Sequence, residues 1–282
     1  MNIIIGKTAG FCFGVKNAVD NTVEELKDNK QVYCLGELVH NKQVTEELIS
    51  KGAIFIKDIE EARGKAIVRA HGVPVSVYQK AKELQIELKD LTCPKVLAIH
   101  KLAIKYSTEN YYIFLVGQKT HPETIGTASF CGENASVIES IDDVEKEVEE
   151  FKKSTLEKVV VLAQTTISLE KFNNIVEEIK KYIENIEVKN TICASTKQRQ
   201  EETEEISKKV ECMIIVGGKH SSNSNKLYEI AKKNCKNVYF VETKDELDIE
   251  KIKNAKSIGI MAGASTPQKS VIEIVDIIRK TC

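Results

Sequence analysis

The feature that most constrains the fold of this chain is a unit that it repeats three times. Each copy has an apolar run that leads into a cysteine, then a stretch with helical periodicity, then a second apolar run that ends in glycine. The cysteine and the glycine have the same separation in all three copies: Cys12 and Gly36, Cys93 and Gly117, and Cys193 and Gly217. Such internal repetition predicts structurally equivalent units packed around a shared centre.

A third apolar run in each copy ends in alanine, at Ala70, Ala163 and Ala262, and small or polar residues follow it. Strands that alternate with helical patterns favour βαβ units and parallel sheets, with ligands at the carboxyl ends of the strands. We therefore predict an α/β fold of three pseudo-threefold-related units with small, mostly parallel sheets. The predicted units are residues 14–92, 93–189 and 190–282, and residues 1–13 add the N-terminal strand and the first cysteine to the third unit.

Composition and charge exclude several classes of protein. The 282 residues are 42% hydrophobic and 29% charged, which is typical of soluble globular proteins, and the formal net charge is −1. No basic block indicates nucleic-acid binding, and no apolar run resembles a signal peptide or a membrane span. We therefore expect a cytoplasmic protein that binds neither nucleic acid nor membrane. The charge-rich stretches 142–158 and 245–256 are predicted to be solvated helices with linkers.

Seven of the eight cysteines fall into two groups, and in a reducing compartment none of the eight is expected to form disulfides. Cys12, Cys93 and Cys193 occupy the same strand-to-helix turn of the repeat, which predicts a site with three thiolate ligands. Such ligands suit zinc, Cu(I) or an iron–sulfur cluster, and a missing fourth ligand leaves room for a substrate. The cysteines predicted merely to pack are Cys34, Cys212, Cys235 and Cys282; Cys131 has no predicted role.

Polar side chains follow the apolar runs and form a donor-rich, largely uncharged set. They are His40, His71, His121, Thr165, Ser221, Ser222, Asn223 and Ser265. Many hydrogen-bond donors near helix N-termini suit a small polyanion. Glu123 lies within the same set, and a carboxyl group beside an anion is favourable when it carries a proton, so we predict that it acts as a general acid. His100 and His220 are predicted to have no functional role.

Short motifs along the whole chain resemble those of the LytB/IspH family. They are Ala9-Gly-Phe-Cys-Phe-Gly-Val, Val39-His-Asn, Ala70-His-Gly-Val, Thr92-Cys-Pro, His121-Pro-Glu, Gln164-Thr-Thr, Thr191-Ile-Cys-Ala, Ser221-Ser-Asn-Ser-Asn and Ala262-Gly-Ala-Ser. The family reduces 4-hydroxy-3-methylbut-2-enyl diphosphate, the last step of the non-mevalonate route to isoprenoids. The resemblance implies a three-lobed α/β protein around a central [4Fe–4S] cluster. Two places depart from the family pattern, Thr120 and Ala128-Ser129, and are expected to affect the loop that carries Glu123.

The resemblance also implies a role for each matching residue. Cys12, Cys93 and Cys193 would hold one [4Fe–4S] cluster and leave one iron open for the substrate hydroxyl oxygen. Glu123 would donate a proton, and Thr165 would hydrogen-bond the substrate near its hydroxyl group. The residues around the diphosphate would be His40, His71, His121, Ser221, Ser222, Asn223 and Ser265. Electrons would come from a separate partner of the ferredoxin or flavodoxin type.

Other functions remain open at the level of sequence. A hydro-lyase of the aconitase type also uses an open cluster iron but transfers no net electrons. A non-catalytic iron–sulfur sensor would need the three cysteines without a proton donor. A zinc hydrolase with thiolate ligands is a further alternative, which the metal content would exclude.

Overall fold

Strands and helices alternate along the chain in the computed structural model, which describes residues 1–28 and 31–281. The strands are β1 (Asn2–Ile5), β2 (Val32–Leu35), β3 (Ala53–Ile56), β4 (Lys65–Val68), β5 (Glu87–Asp90), β6 (Tyr111–Val116), β7 (Ala135–Ile138), β8 (Lys158–Ala163), β9 (Ile186–Val188), β10 (Cys212–Val216), β11 (Asn237–Val241) and β12 (Ser257–Ala262). The α-helices are α1 (Phe13–Asp28), α2 (Lys42–Ser50), α3 (Val75–Glu83), α4 (Pro94–Thr108), α5 (Pro122–Ala128), α6 (Val144–Lys153), α7 (Leu169–Lys180), α8 (Ala194–Ser207), α9 (Ser222–Asn234) and α10 (Gln268–Thr281).

The strands form three four-stranded sheets in which every pairing is parallel. Their orders are β3-β2-β4-β5, β7-β6-β8-β9 and β11-β10-β12-β1. The third order matches the first two when β1 takes the place of β5 and β9. These sheets confirm the predicted α/β fold, whereas the residue boundaries of the three units remain predictions.

The chain divides into two compact units. The terminal unit comprises residues 1–16, 39–48 and 194 onward, and it contains the sheet β11-β10-β12-β1. The central unit comprises residues 17–38 and 49–193, and it contains the other two sheets. Among the described residues, no helix has both the length and the apolar character needed to cross a membrane.

The strands in the middle of the sheets are buried on both faces, which explains their continuous apolar runs. In β6, Tyr112, Phe114 and Val116 join one core cluster, and Ile113 and Leu115 join another. Successive side chains of a strand point to opposite faces, so one run serves both clusters. Each fully buried Leu, Ile or Phe stabilises the fold by roughly 1.5–3 kcal/mol relative to an exposed one. The residues of β10 divide between two clusters in the same way.

The four described cysteines outside the repeated turn are buried. Cys34, Cys131 and Cys212 are each 1% exposed and Cys235 is 7% exposed. Burial raises the pKa of the first three thiols to about 12, so they stay protonated and inert. The packing prediction is confirmed for Cys34, Cys212 and Cys235, and Cys131 joins them, whereas Cys282 lies outside the described residues.

The prediction for the stretch 245–256 is wrong. Two short 3-10 helices, Lys244–Glu246 and Ile249–Lys251, replace the expected solvated helix. Ile252 is fully buried and Leu247 nearly so. These apolar side chains anchor the segment to the core beside α10, so its path follows their contacts rather than helical periodicity. The stretch 142–158 does contain the expected helix, α6.

An ion-pair network inside the central unit ties α1 to the sheet β3-β2-β4-β5. The carboxylate of Glu25, 13% exposed, lies 2.6 Å from Lys89 Nζ and 3.0 Å from Lys65 Nζ. Hydrogen bonds from these two lysines lower the pKa of Glu25. Because the folded state binds the proton more weakly than the unfolded chain does, the network stabilises the fold above the ordinary carboxyl pKa.

We expect Glu25→Gln to lower the free energy of unfolding by roughly 1 kcal/mol at pH 7. The difference from wild type should shrink as the pH falls through the lowered pKa of Glu25, where the carboxylate becomes protonated. Urea unfolding at several pH values measures this. Glu24→Gln is the matched control, because Glu24 is 63% exposed and pairs with an exposed Lys27. Equal stability of the two variants would contradict the prediction.

Candidate active site

The three cysteines of the repeat lie in equivalent turns. Each cysteine N–H donates to the carbonyl oxygen of the second residue after a neighbouring strand of its sheet. These bonds run from Cys12 to Ala264 after β12 (3.1 Å), from Cys93 to Ala70 after β4 (2.9 Å) and from Cys193 to Thr165 after β8 (3.0 Å). All three cysteines are half-buried and none forms a disulfide bond. The same local structure therefore presents each thiol at the carboxyl end of a parallel sheet.

Two of these turns are closed by a side chain three residues before the cysteine. Asp90 Oδ1 accepts the Thr92 N–H at 2.9 Å and the Thr92 hydroxyl at 2.5 Å. Asn190 Oδ1 accepts the Ile192 N–H at 3.1 Å. Asp and Asn side chains favour such local bonds to the backbone two residues later. The turns that carry Cys93 and Cys193 are thus held by their own sequence.

Glu123 is a buried carboxyl group in the first turn of α5, with 2% of its surface exposed. Thr165 donates to it twice, from its N–H to Oε1 and from Oγ1 to Oε2, both at 2.6 Å. Burial raises the pKa of Glu123, and the two hydrogen bonds from Thr165 oppose that rise without cancelling it. The group therefore holds its proton to a higher pH than an ordinary carboxyl does, as a general acid requires.

His121 is the N-cap residue of α5 and lies against Glu123. Its Nδ1 accepts the Glu123 N–H at 3.1 Å, and Pro122 occupies the first helical position, which favours a helix start there. With Nδ1 as acceptor, the neutral ring carries its proton on Nε2. The His71 ring lies edge-on to the His121 ring, with centroids 5.4 Å apart at 88°. The central unit thus brings together His71, His121, Glu123 and Thr165.

Gln164 organises the loops around this group. It is 1% exposed, and its Oε1 accepts the Gln118 N–H at 2.9 Å and the Thr124 hydroxyl at 3.1 Å. Its Nε2 donates to Thr166 Oγ1 at 2.7 Å. A side chain on Gly117 would place its Cβ 2.8 Å from Thr124 Oγ1, so glycine allows the loops to close. Gln164 has no predicted role, although its position directly after the apolar run of β8 is a signal in the sequence.

The terminal unit gathers a second set of predicted residues at the start of α9. Ser221 is the N-cap residue, and its side chain accepts the Ser224 N–H at 3.3 Å. Asn223 is 4% exposed, and neither atom of its side-chain amide has a hydrogen-bond partner within the described chain. Buried amides are nearly always hydrogen-bonded in native proteins, so these two atoms are available to bind a ligand or water. A helix N-terminus with an unsatisfied amide suits an anion.

His40 and Ser265 lie beside this helix start. Ser265 is 7% exposed, and its Oγ donates to the His40 carbonyl oxygen at 3.2 Å. The same carbonyl lies so close to Gly218 that an added Cβ there would be 2.5 Å from it. The terminal unit therefore brings together His40, Ser221, Ser222, Asn223 and Ser265.

The remaining predicted positions are simple to place. His100 is buried in α4 and stacked on Phe130, with ring centroids 4.2 Å apart, and burial lowers its pKa to about 4. His220 is exposed, as is Thr120. Ser129 Oγ donates to the Gly126 carbonyl and accepts the Val75 N–H, so this departure from the family pattern links the end of α5 to the start of α3.

Comparison with known proteins adds an independent observation. Residues 3–279 match the family model described as LytB protein. A protein of Clostridioides difficile (strain 630) named 4-hydroxy-3-methylbut-2-enyl diphosphate reductase is 40% identical over 278 residues, covering 98% of each chain. A protein of the same name from Aquifex aeolicus is 37% identical and covers 100% of this chain and 97% of its own length.

Two solved structures of reductases are similar to this chain over nearly its whole length. The E-1-hydroxy-2-methyl-but-2-enyl-4-diphosphate reductase of Plasmodium falciparum superposes with a TM-score of 0.90 at 30% identity, over 98% of this chain and 87% of that one. A structure of (E)-4-hydroxy-3-methyl-but-2-enyl diphosphate reductase, the terminal enzyme of the non-mevalonate pathway, superposes with a TM-score of 0.73 at 37% identity. The match covers 99% of this chain and 100% of that one. This chain is a member of the LytB family.

Proposed function

We propose that this chain reduces 4-hydroxy-3-methylbut-2-enyl diphosphate to isopentenyl and dimethylallyl diphosphate. The observation that carries the proposal is Glu123, a fully buried carboxyl with a raised pKa that Thr165 and His121 hold in place. The reaction consumes two electrons and two protons, and the substrate hydroxyl leaves as water. A buried acid supplies a proton without competition from solvent.

The three cysteines fit an iron–sulfur cofactor. They are soft ligands, are free of disulfides, and occupy equivalent turns at strand ends. In our proposal Cys12, Cys93 and Cys193 hold one [4Fe–4S] cluster. When bound, the cluster would relay the two electrons one at a time and would offer a Lewis-acidic iron for the leaving oxygen. A ferredoxin or flavodoxin would deliver the electrons.

Glu123 and Thr165 would pass the proton to the leaving oxygen. A protonated Glu123 can donate from Oε2 to Thr165 Oγ1, reversing the hydroxyl bond, while the Thr165 N–H still donates to Oε1. The threonine hydroxyl is then free to turn its own proton towards the substrate. Thr165 thereby orients the acid and stays within reach of the substrate hydroxyl.

The diphosphate would be bound by neutral donors. In the central unit, His121 offers Nε2–H because its Nδ1 is occupied by the Glu123 N–H. In the terminal unit, Asn223 offers its unsatisfied amide at the N-terminus of α9. We assign His40, His71, Ser221, Ser222 and Ser265 to the same task. Hydrogen bonds from helix starts and imidazoles can hold a polyanion without a cluster of lysines or arginines.

His121→Asn tests the role of the imidazole separately from that of the helix cap. Asparagine is a favourable N-cap residue, so α5 keeps its N-cap and the Glu123 N–H keeps an acceptor. Loss of a hydrogen bond to a charged group costs about 1.5–3 kcal/mol, so Kd for the substrate should rise roughly 10-fold to 100-fold. Calorimetry with the substrate measures this, and His220→Asn is the control at an exposed histidine. Unchanged affinity would exclude His121 from diphosphate binding.

The test of the proposed function is product analysis with anaerobically purified protein. With dithionite and a mediator, labelled substrate should give both C5 diphosphates, with two electrons consumed per substrate. A reaction that proceeds without reductant would favour the hydro-lyase instead. Protein that contains the iron–sulfur cluster but leaves the substrate unchanged would favour the sensor, and bound zinc would favour the hydrolase. The names of the relatives support the reductase.

A further inference from the structure

The turn that carries Cys12 lacks the side chain that closes the other two cysteine turns. Asp90 and Asn190 stand three residues before their cysteines, and the same place before Cys12 is taken by Ala9. A methyl group accepts no hydrogen bond. Within the turn, the Ala9 N–H donates to the Gly6 carbonyl oxygen at 3.1 Å, and residues from elsewhere in the terminal unit bind other backbone groups of the turn.

Helix α8 supplies a carboxylate that binds the start of the turn. Glu202 Oε1 accepts the Lys7 N–H at 2.6 Å, and Oε2 accepts the Thr8 N–H at 2.9 Å and the Thr8 hydroxyl at 2.5 Å. One carboxylate thus satisfies three donors of two successive residues. Like Asp90 in the Cys93 turn, Glu202 binds both the N–H and the hydroxyl of a threonine, but here the threonine lies four residues before the cysteine rather than one.

The same helix supplies a buried cation to the middle of the turn. Arg199 is 4% exposed, and its Nη2 donates to the Gly10 carbonyl oxygen at 2.8 Å. Its Nη1 bonds to the carbonyl (3.1 Å) and the hydroxyl of Ser195, so the guanidinium is anchored on its own helix. Arg199 and Glu202 are three residues apart and therefore face the same side of α8.

The backbone conformation at Gly10 favours glycine. Gly10 has φ +112°, a conformation that side chains rarely adopt, and an added Cβ would lie 2.6 Å from Gln268 Oε1. Residues 7, 8 and 10 are bound by side chains of α8, and Gln268 at the start of α10 lies beside Gly10. Cys12 follows directly, with its N–H bound to the Ala264 carbonyl.

We propose that Arg199 and Glu202 are positioning residues that hold the Cys12 turn ready to bind metal, an inference that rests on the proposed function. The two side chains anchor residues 7–10, whereas Asp90 and Asn190 bind the residue directly before their cysteines. Arg199 also places a positive charge two residues from Cys12. Net charge near a cluster sets its reduction potential, and a nearby cation favours the more negative, reduced state.

Glu202→Gln tests the anchor, with Glu201→Gln as the matched control on the same helix. Glu201 is 63% exposed and pairs only loosely with Lys197 at 3.7 Å. A chelator should remove the cluster from anaerobic full-length Glu202→Gln roughly 10-fold to 100-fold faster than from the control. The decrease in visible absorbance measures the rate. Hydrogen exchange at the Lys7 and Thr8 amides of the cluster-free protein should also be faster.

Arg199→Gln and Arg199→Lys test the charge. The glutamine variant should have a lower midpoint potential than wild type, and the lysine variant, which keeps the cation, should restore it. A purely structural role would lower the melting temperature of both variants and leave the potential unchanged. That result would overturn the proposed charge effect.

The outcomes separate this inference from the proposed function. A wild-type protein that binds no iron–sulfur cluster would overturn the proposed function. The positioning role alone would be overturned if wild-type protein contains the cluster and Glu202→Gln behaves as its control does. In that case Glu202→Gln loses its cluster no faster than Glu201→Gln, and its Lys7 and Thr8 amides exchange at the wild-type rate.

Discussion

Replacing Glu123 with glutamine is expected to lower turnover by roughly 10²-fold to 10⁴-fold while the protein stays folded and keeps its cofactor. Glutamine has nearly the same shape and retains an acceptor for the Thr165 N–H, but it has no acidic proton. Single turnovers of the chemically reduced protein measure the loss. Glu133→Gln, at an exposed glutamate, is the control. Turnover within a few-fold of wild type, with the cluster intact, would remove Glu123 from the reaction.

The raised pKa of Glu123 sets the sign of two pH dependences. Turnover should fall as the pH rises through that pKa, because the proton donor is then lost. The unfolded carboxyl has its ordinary pKa, 4.5, so between the two values the folded state binds more protons. The free energy of unfolding should therefore decrease as the pH rises through this window, and Glu123→Gln should abolish the decrease. Urea unfolding of both proteins across the pH range measures it.

Replacing Cys193 with serine is expected to give protein with little or no iron. A serine oxygen is a poorer ligand for iron than thiolate, and the turn offers no other soft donor. Iron and sulfide content after anaerobic purification measures the loss, against about four irons per chain expected in wild type. Cys131→Ser is the matched control, because its buried Sγ donates to the Thr127 carbonyl at 3.4 Å, a bond that a hydroxyl can make.

The two serine variants should therefore differ sharply in colour and iron content. Equal iron in both would show that Cys193 is not a ligand. Zinc in wild-type protein would keep the three-thiolate site but replace the reductase with the hydrolase alternative. If wild-type protein holds iron, Mössbauer spectra before and after substrate addition show whether one iron of the intact cluster changes on binding, as the proposal requires.

Much of the fold could be predicted from the repeated apolar runs. Middle strands of a parallel sheet are buried on both faces, so β2, β6 and β10 read as short continuous apolar segments with a glycine after each. Two edge strands were not predicted, β7 and β11. Edge strands pair on one side only, and polar residues interrupt or border both, so their sequences carry a weaker signal. The segment after β11 was misjudged because its two buried apolar side chains are surrounded by charge.

The candidate site also combines features that the sequence predicts with features that only the folded structure reveals. Position after a strand predicted the candidate cysteines, histidines and Glu123, because ligands bind at the carboxyl ends of parallel strands. Position could not reveal that Glu123 is fully buried against Thr165, 42 residues away, or that His121 Nδ1 is occupied by the Glu123 N–H. Nor could it find Glu202, which meets Lys7 across 195 residues.

The sequence by itself determined the identity of the repeated unit, the parallel α/β architecture and the residue types at each strand end. These follow from local patterns, since periodicity and spacing are set by neighbours along the chain. Tertiary structure alone decided the raised pKa of Glu123, the tautomer of His121 and the support of the Cys12 turn. Each of these depends on desolvation or on hydrogen bonds between distant segments, which only packing brings into contact.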